Sequence, residues 1–171
     1  MLQPFGPKPF SQEAPAGAII DGDYRYKLWR SWGPDPDKKV IWVMLNPSTA
    51  DATTDDATIR KCLAFSKLWG FHGLEVVNLF ALRATDPGVM KAHKDPVGPL
   101  NDLFLKTAAE SGNPLICAWG NDGRHLNRDL NIASSVFSNR ELWCLGSNTN
   151  KTPRHPLYIA LKTERQLWSP P

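Results

Sequence analysis

The sequence predicts a three-layer α/β/α sandwich around a central, mostly parallel four-stranded sheet, with a hairpin on its N-terminal side. Three observations predict it. Four short apolar runs alternate with stretches of helical pattern, the order that right-handed crossovers turn into a parallel sheet. The longest run is continuously apolar rather than alternating, as a strand covered on both faces should be. A chain of 171 residues that is 42% hydrophobic is long enough for one well-buried core.

Residues 1–17 hold four prolines and two glycines and read as an extended arm, leaving 18–171 as a single α/β domain. Ile19 and Ile20 precede Asp21-Gly22, after which Tyr24, Tyr26 and Leu28 alternate with Arg25, Lys27 and Trp29. This pattern predicts an edge hairpin with one solvated face, on which Arg25 falls. After the turn Gly33-Pro34-Asp35-Pro36, Val40 to Leu45 is the first buried strand. Asp55 or Asp56 can cap a following helix, with Ile59, Cys62, Leu63 and Ser66 on one face and Gly70 as its stop. Leu74 to Phe80 is a second strand, Pro99 to Ala109 a helix, and Leu115 to Trp119 a third strand. Arg124 to Phe137 has helical composition, and Leu142 to Leu145 is a fourth strand running into the polar loop Gly146 to Arg154.

A net charge of +3 permits a polyanionic partner without the dense Lys/Arg runs of a nucleic-acid tail. Cys62, Cys117 and Cys144 are an odd number without CxxC spacing, which argues against disulfides, zinc or iron–sulfur clusters and for a reducing cytoplasm. The four histidines are scattered, so no metal is expected. No apolar stretch is long enough for a signal peptide or a membrane span, so no membrane partner is expected either.

Parallel sheets bind ligands beyond the carboxyl ends of their strands. Here the first strand ends in Asn46-Pro47-Ser48-Thr49-Ala50-Asp51, the second in Asn78 and then Arg83, the third in Trp119-Gly120-Asn121, and the fourth in Arg154-His155-Pro156. The working site is therefore expected on the loops Asn46–Asp51 and Lys151–Pro156. Amides offer both a donor and an acceptor, the combination that reads a nucleobase edge, while His and Arg suit a carbonyl or a phosphate. Taken singly, Asn46-Pro47 and Asn78 equally suit turns, and Thr49 to Asp56 equally suits a helix cap. His72, His93 and His125 read as surface residues, and Asn121-Asp122-Gly123 as turn chemistry.

The blocks Tyr24-Arg25-Tyr26, Met44 to Asp51, Asn78 to Arg83, Ala118-Trp119-Gly120 and Pro153 to Tyr158 resemble a bacterial and phage domain-of-unknown-function family, number 1643. More distantly they are similar to the uracil-DNA glycosylase superfamily, with its Asn-Pro or Asp-Pro first motif, central Asn, Trp-Gly strand end and late His-Pro. The resemblance implies a glycosylase-like fold. It also implies that Asn46 positions the attacking water, that Asn78 pairs with a flipped base, that His155 sits near a pyrimidine oxygen, and that Arg154 lies near the DNA backbone.

Pro47, Ser48, Thr49 and Arg83 complete the substrate-binding set, and no cofactor is required. An amide at position 46 orients water but cannot take its proton. Asp51 is a substitute base, or else a cap or a sugar-binding group. Ser48 stands where uracil-selective relatives with an Asp-Pro motif have a bulky aromatic, which leaves room beside the pyrimidine 5-carbon.

The leading expectation is a monomeric, monofunctional glycosylase that flips a damaged or modified pyrimidine out of DNA and leaves an abasic site. The base could carry a 5-substituent, including the hydroxymethyl or glucosyl groups of some phage DNA, which would make the protein a defence factor. The alternatives are a non-catalytic nucleic-acid or nucleotide-binding module, and a hydrolase or transferase of free nucleotides.

Overall fold

The computed structural model describes residues 14–171, so residues 1–13 of the expected arm lie outside the described residues. Ala16 and Gly17, assigned to that arm from sequence, already belong to the first strand, β1 (Ala16–Asp21). β1 turns through Gly22, whose φ of 56° suits glycine, into β2 (Tyr24–Ser31).

The first buried strand is β3 (Lys39–Met44). Its side chains alternate between two cores. Val40, Trp42 and Met44 pack with Ile59, Cys62 and Phe65 of helix α1 (Ala57–Leu68). Ile41, Val43 and the following Leu45 pack on the opposite face with Leu105 and Ala108 of α3 (Asn101–Glu110) and with Ile132 and Ala133 of α4 (Arg128–Ser134). Burial on both faces is why this stretch is apolar at every position, and each such side chain contributes about 2 kcal/mol. Asp56 caps α1, accepting the Ile59 N–H at 2.9 Å, and Gly70, with φ 79°, follows its end.

The remaining elements are β4 (Gly73–Asn78), α2 (Pro87–Ala92), β5 (Leu115–Cys117), β6 (Leu142–Cys144) and β7 (Gln166–Trp168). They complete one seven-stranded sheet of order β1-β2-β4-β3-β5-β6-β7. β4, β3, β5 and β6 are parallel neighbours, whereas the flanking pairs β1–β2, β2–β4 and β6–β7 are antiparallel.

The sheet is thus larger than the expected four strands. The hairpin lies at the sheet edge, as expected, and belongs to the sheet, since β2 pairs with β4 through Leu28↔Val76 and neighbouring residues. β7 was not anticipated, because three residues are too few to display a period. The helix expected over Arg124–Phe137 is also corrected. The chain forms a 3-10 turn at Asn121–Asn127 and then the short α4, because Leu126 and Asn127 both take left-handed φ values of 54°. Among the described residues, no helix is long and apolar enough to cross a membrane.

From β3 the chain moves to β4 on one side and then to β5 on the other. This reversal opens a crevice at the carboxyl ends of β3 and β5.

Candidate functional site

That crevice holds a cavity of about 530 Å³, walled by the end of β3 (Met44, Leu45, Asn46), by Asn78 of β4, by Trp119-Gly120-Asn121 after β5, by the start of α1, and by Arg25 and His155. Backbone bonds assemble the rim. Leu79 N–H donates to Met44 O at 2.9 Å, Ala84 N–H to Pro47 O at 2.9 Å, and Gly120 N–H to Pro153 O at 2.9 Å. The last bond draws the His155 loop against the end of β5.

Asn78 ends β4 and is 1% exposed, yet neither its side-chain amide nitrogen nor its amide oxygen has a hydrogen-bond partner among the described residues. Buried amides are seldom left so, because each unmet group costs about 1–3 kcal/mol. Asn46 differs. Its Nδ2 donates to Ala84 O at 2.8 Å and lies 3.1 Å from Pro47 O and 3.3 Å from Leu82 O, which commits the NH₂ and leaves Oδ1 as the free acceptor.

His155 precedes the 3-10 turn Pro156–Tyr158, and its Nδ1 accepts the Leu157 N–H at 3.3 Å. An accepting Nδ1 puts the hydrogen of the neutral ring on Nε2, so the ring is a donor there. One side of the imidazole is open to solvent. Even so, burial of the rest lowers its pKa below 6.5, against the opposing pull of the Asp56 carboxylate.

Of the residues expected from sequence, the cavity gathers Asn46, Ser48, Asn78 and His155. It does not gather Asp51. That carboxylate accepts the N–H groups of Thr53 and Thr54 at 2.9 and 2.8 Å, which lower its pKa, and it serves as a turn cap outside the wall. Pro47 is buried beneath the loop, where its carbonyl anchors Ala84.

Thr49 and Arg83 lie in an adjoining recess of about 330 Å³ with Gly22 and Asp23, and this recess shares Ser48, Ala84 and Thr85 with the main cavity. Arg154 lies on the other flank, in a polar bowl with Ser147, Asn148, Thr149 and Asn150 that shares Asn121 with the cavity.

Two charged wall residues that form no ion pair among the described residues were not assigned to the site from sequence. Asp56 caps α1 and lines the cavity as well, and no ion pair among the described residues includes it. The other carboxylate of the wall, Asp122, pairs with Lys91 at 2.8 Å.

Arg25 is the second. Strict alternation along β2 puts it on the solvated face with Lys27 and Trp29. However, the register steps from Ile19↔Lys27 to Ile20↔Arg25, so β2 carries an extra residue and bulges. Tyr26 then stacks on Phe104 of α3 with ring centroids 5.2 Å apart, while Arg25 turns to the α1 side and its Nη1 donates to Ala50 O at 2.7 Å. Because β2 runs antiparallel to β4, its first residues stand at the carboxyl rim.

Among the described residues no three His, Cys, Asp or Glu side chains converge to hold a metal ion. Cys62, Cys117 and Cys144 are buried, and burial raises all three thiol pKa values, leaving them poor nucleophiles.

The family described as a protein of unknown function (DUF1643) matches residues 25–157 of the chain, a span that includes every wall residue named above. No curated protein and no solved structure matches the chain.

Proposed function

Because the chain belongs to the family DUF1643, whose description assigns no activity, we propose one from the cavity itself: hydrolysis of the N-glycosidic bond of a modified pyrimidine in DNA, leaving an abasic site. The observation that carries this reading is Asn78, a buried amide with both polar atoms free on the wall of a cavity large enough for a base. A paired donor and acceptor on one planar group is what reads the edge of a pyrimidine.

In this reading the base leaves the stack and enters the cavity, where Asn78 pairs with its edge. Oδ1 of Asn46 accepts a hydrogen bond from water and aims the water oxygen at the sugar carbon. The carbon–nitrogen bond breaks with its electron pair going to the base, and the water oxygen forms the new bond to the sugar. Asp56 takes the proton that Asn46 cannot take. Neutral His155 donates from Nε2 toward the base oxygen on which charge develops.

The motif resemblance to the uracil-DNA glycosylase superfamily supports the roles given to Asn46, Asn78 and His155, and not that of Asp56. The recess beside Ser48, with Asp23, Thr49, Arg83 and Thr85, supports a base carrying a polar 5-substituent such as a hydroxymethyl or glucosylated hydroxymethyl group. Arg154 and Arg83 flank the cavity on opposite sides, as contacts to the phosphates on either side of a flipped nucleotide would require.

The test is to incubate the protein with duplexes and single strands containing uracil, 5-hydroxymethylated pyrimidines or glucosylated hydroxymethylcytosine, with and without EDTA, and then to cleave with alkali. Strand breaks at the modified position in both series are expected. Asp56→Asn, which preserves the helix cap, should lower the rate about a hundredfold without lowering the melting temperature. A folded protein that yields no breaks on any of these substrates overturns the reading in favour of a binding module.

A further inference from the structure

Arg25 has no part in the roles above, yet it puts a buried charge on the cavity wall. Its side chain is 2% exposed, its Nε has no partner, and its one side-chain hydrogen bond among the described residues is from Nη1 to Ala50 O. No ion pair among the described residues includes it. The charged groups around it are Asp56 at the start of α1, Asp51 and Arg83 on the loops, and Arg30 of β2. Burial lowers its pKa to about 10, so the guanidinium remains a cation at neutral pH.

A scaffold role does not explain this placement. Holding the loop at Ala50 uses a single N–H, and a neutral donor would do the same without burying a charge. One further feature makes the cavity receptive to negative charge: Asn78 Nδ2 is a buried donor with no partner among the described residues, whereas the positive end of the α1 dipole is already met by the Asp56 carboxylate.

We propose that Arg25 is an anion site within the base cavity, and that it holds the departing pyrimidine as a monoanion. The proposal rests on the glycosylase reading. As the bond between sugar and base breaks, the electron pair remains on the base and the water oxygen bonds to the sugar carbon. The water proton passes to Asp56. The guanidinium and Asn78 Nδ2 then face the base anion until it takes a proton from solvent.

Binding of a free base tests this without relying on catalysis. The probe is 5-nitrouracil, whose absorbance changes when it ionises, titrated against pH with wild type, Arg25→Gln and Arg25→Met. Wild type should bind the monoanion at least about tenfold more tightly than the neutral form, which lowers the ionisation midpoint of the bound probe by about one pH unit. Both variants should lose that preference. Their melting temperatures should match or exceed that of wild type, because a desolvated cation has been removed.

A wild type that fails to bind the probe or shows no preference for the anion overturns the proposal, and so does a variant that keeps the preference. If either variant fails to fold, Arg25 is a structural residue and the proposal is wrong. The abasic-site assay separates the two readings. Anion preference lost in the variants, without any abasic sites, would leave the anion site standing and remove the glycosylase. Abasic sites without anion preference would do the reverse.

Discussion

The cavity wall and the scaffold behind it use the same residue types in opposite ways. On β2, Arg30 is 7% exposed and saturated. Its Nε pairs with Asp55 at 2.9 Å, while its Nη groups donate to Asp51 O at 2.7 Å and Trp29 O at 2.8 Å, with Gly17 O and Thr54 O at 3.3 and 3.4 Å. Arg25, on the same strand, has one such bond among the described residues. Behind the wall, Asn101 is fully buried and its Nδ2 donates to Asn78 O at 2.9 Å and Leu79 O at 3.0 Å, though its Oδ1 has no partner, whereas neither side-chain polar atom of Asn78 has a partner among the described residues. The difference separates groups committed to the fold from wall groups that the proposed function would use. Saturated polar groups contribute to stability, and unsatisfied ones on a cavity wall lower it in exchange for binding.

The largest expected effect tests the arginines. Arg30→Met should lower the unfolding free energy by about 3 kcal/mol, because it strands Asp55 and four carbonyl contacts, two of which fix the 51–55 loop. That figure is at the low end for a broken ion pair because the Asp55 side chain is 28% exposed. Chemical denaturation measures it. Equal losses from Arg30→Met and Arg25→Met would erase the contrast on which the comparison rests.

A smaller effect sharpens the comparison at the amides. Asn101→Ala should cost about 2 kcal/mol by leaving the Asn78 carbonyl without its donor. Asn78→Ala should leave stability unchanged or improved, while abasic-site formation falls about a hundredfold. If Asn78→Ala melts early and the folded fraction retains normal activity, Asn78 belongs to the scaffold.

How much of this was legible in the sequence follows the same division. The buried face of every central strand could be read and the cap of α1 narrowed to Asp55 or Asp56, because apolar runs and Asx caps are local signals. Asn46, Asn78 and His155 could be placed together because each follows a strand, and parallel strands deliver their ends to one rim. Arg25 could not, since one inserted residue in β2 reverses the alternation and no pattern in the sequence marks the bulge. Its position between Tyr24 and Tyr26, at the start of a strand antiparallel to β4, is the signal that could have raised it. Asp51 and Asp56 were indistinguishable as carboxylates near a helix start. Only the turn at Thr53-Thr54 shows that the first is spent on backbone N–H groups while the second reaches the cavity. β7 and the broken helix after β5 depend on tertiary contacts and left-handed residues that local propensity does not report.

The smallest effect concerns His155, which stands between the two classes because its Nδ1 serves the scaffold while the residue also lines the cavity. Nδ1 accepts the Leu157 N–H, which requires the neutral ring, and burial lowers the pKa of the ring below 6.5. Protonation would place a second hydrogen opposite the Leu157 N–H and break that bond. It would also replace the neutral Nε2 donor with a cation beside Asp56. Activity should therefore hold as pH falls from 7 through 6.5 and decline only as it passes the lowered pKa. The stability effect has a definite sign. Between the folded pKa and 6.5, the unfolded chain binds a proton that the folded chain does not, so folding weakens as pH falls through that window. Above 6.5 the contribution of the neutral ring is fully present, and below the folded pKa it is gone. With one side of the ring in water the change is small, roughly a degree in Tm. It should appear as the difference between the wild-type and His155→Gln melting curves across that window. A ring that instead gains a proton at higher pH in the folded protein, followed by NMR titration of its Cε1–H, would reverse the sign and assign His155 to a cationic role.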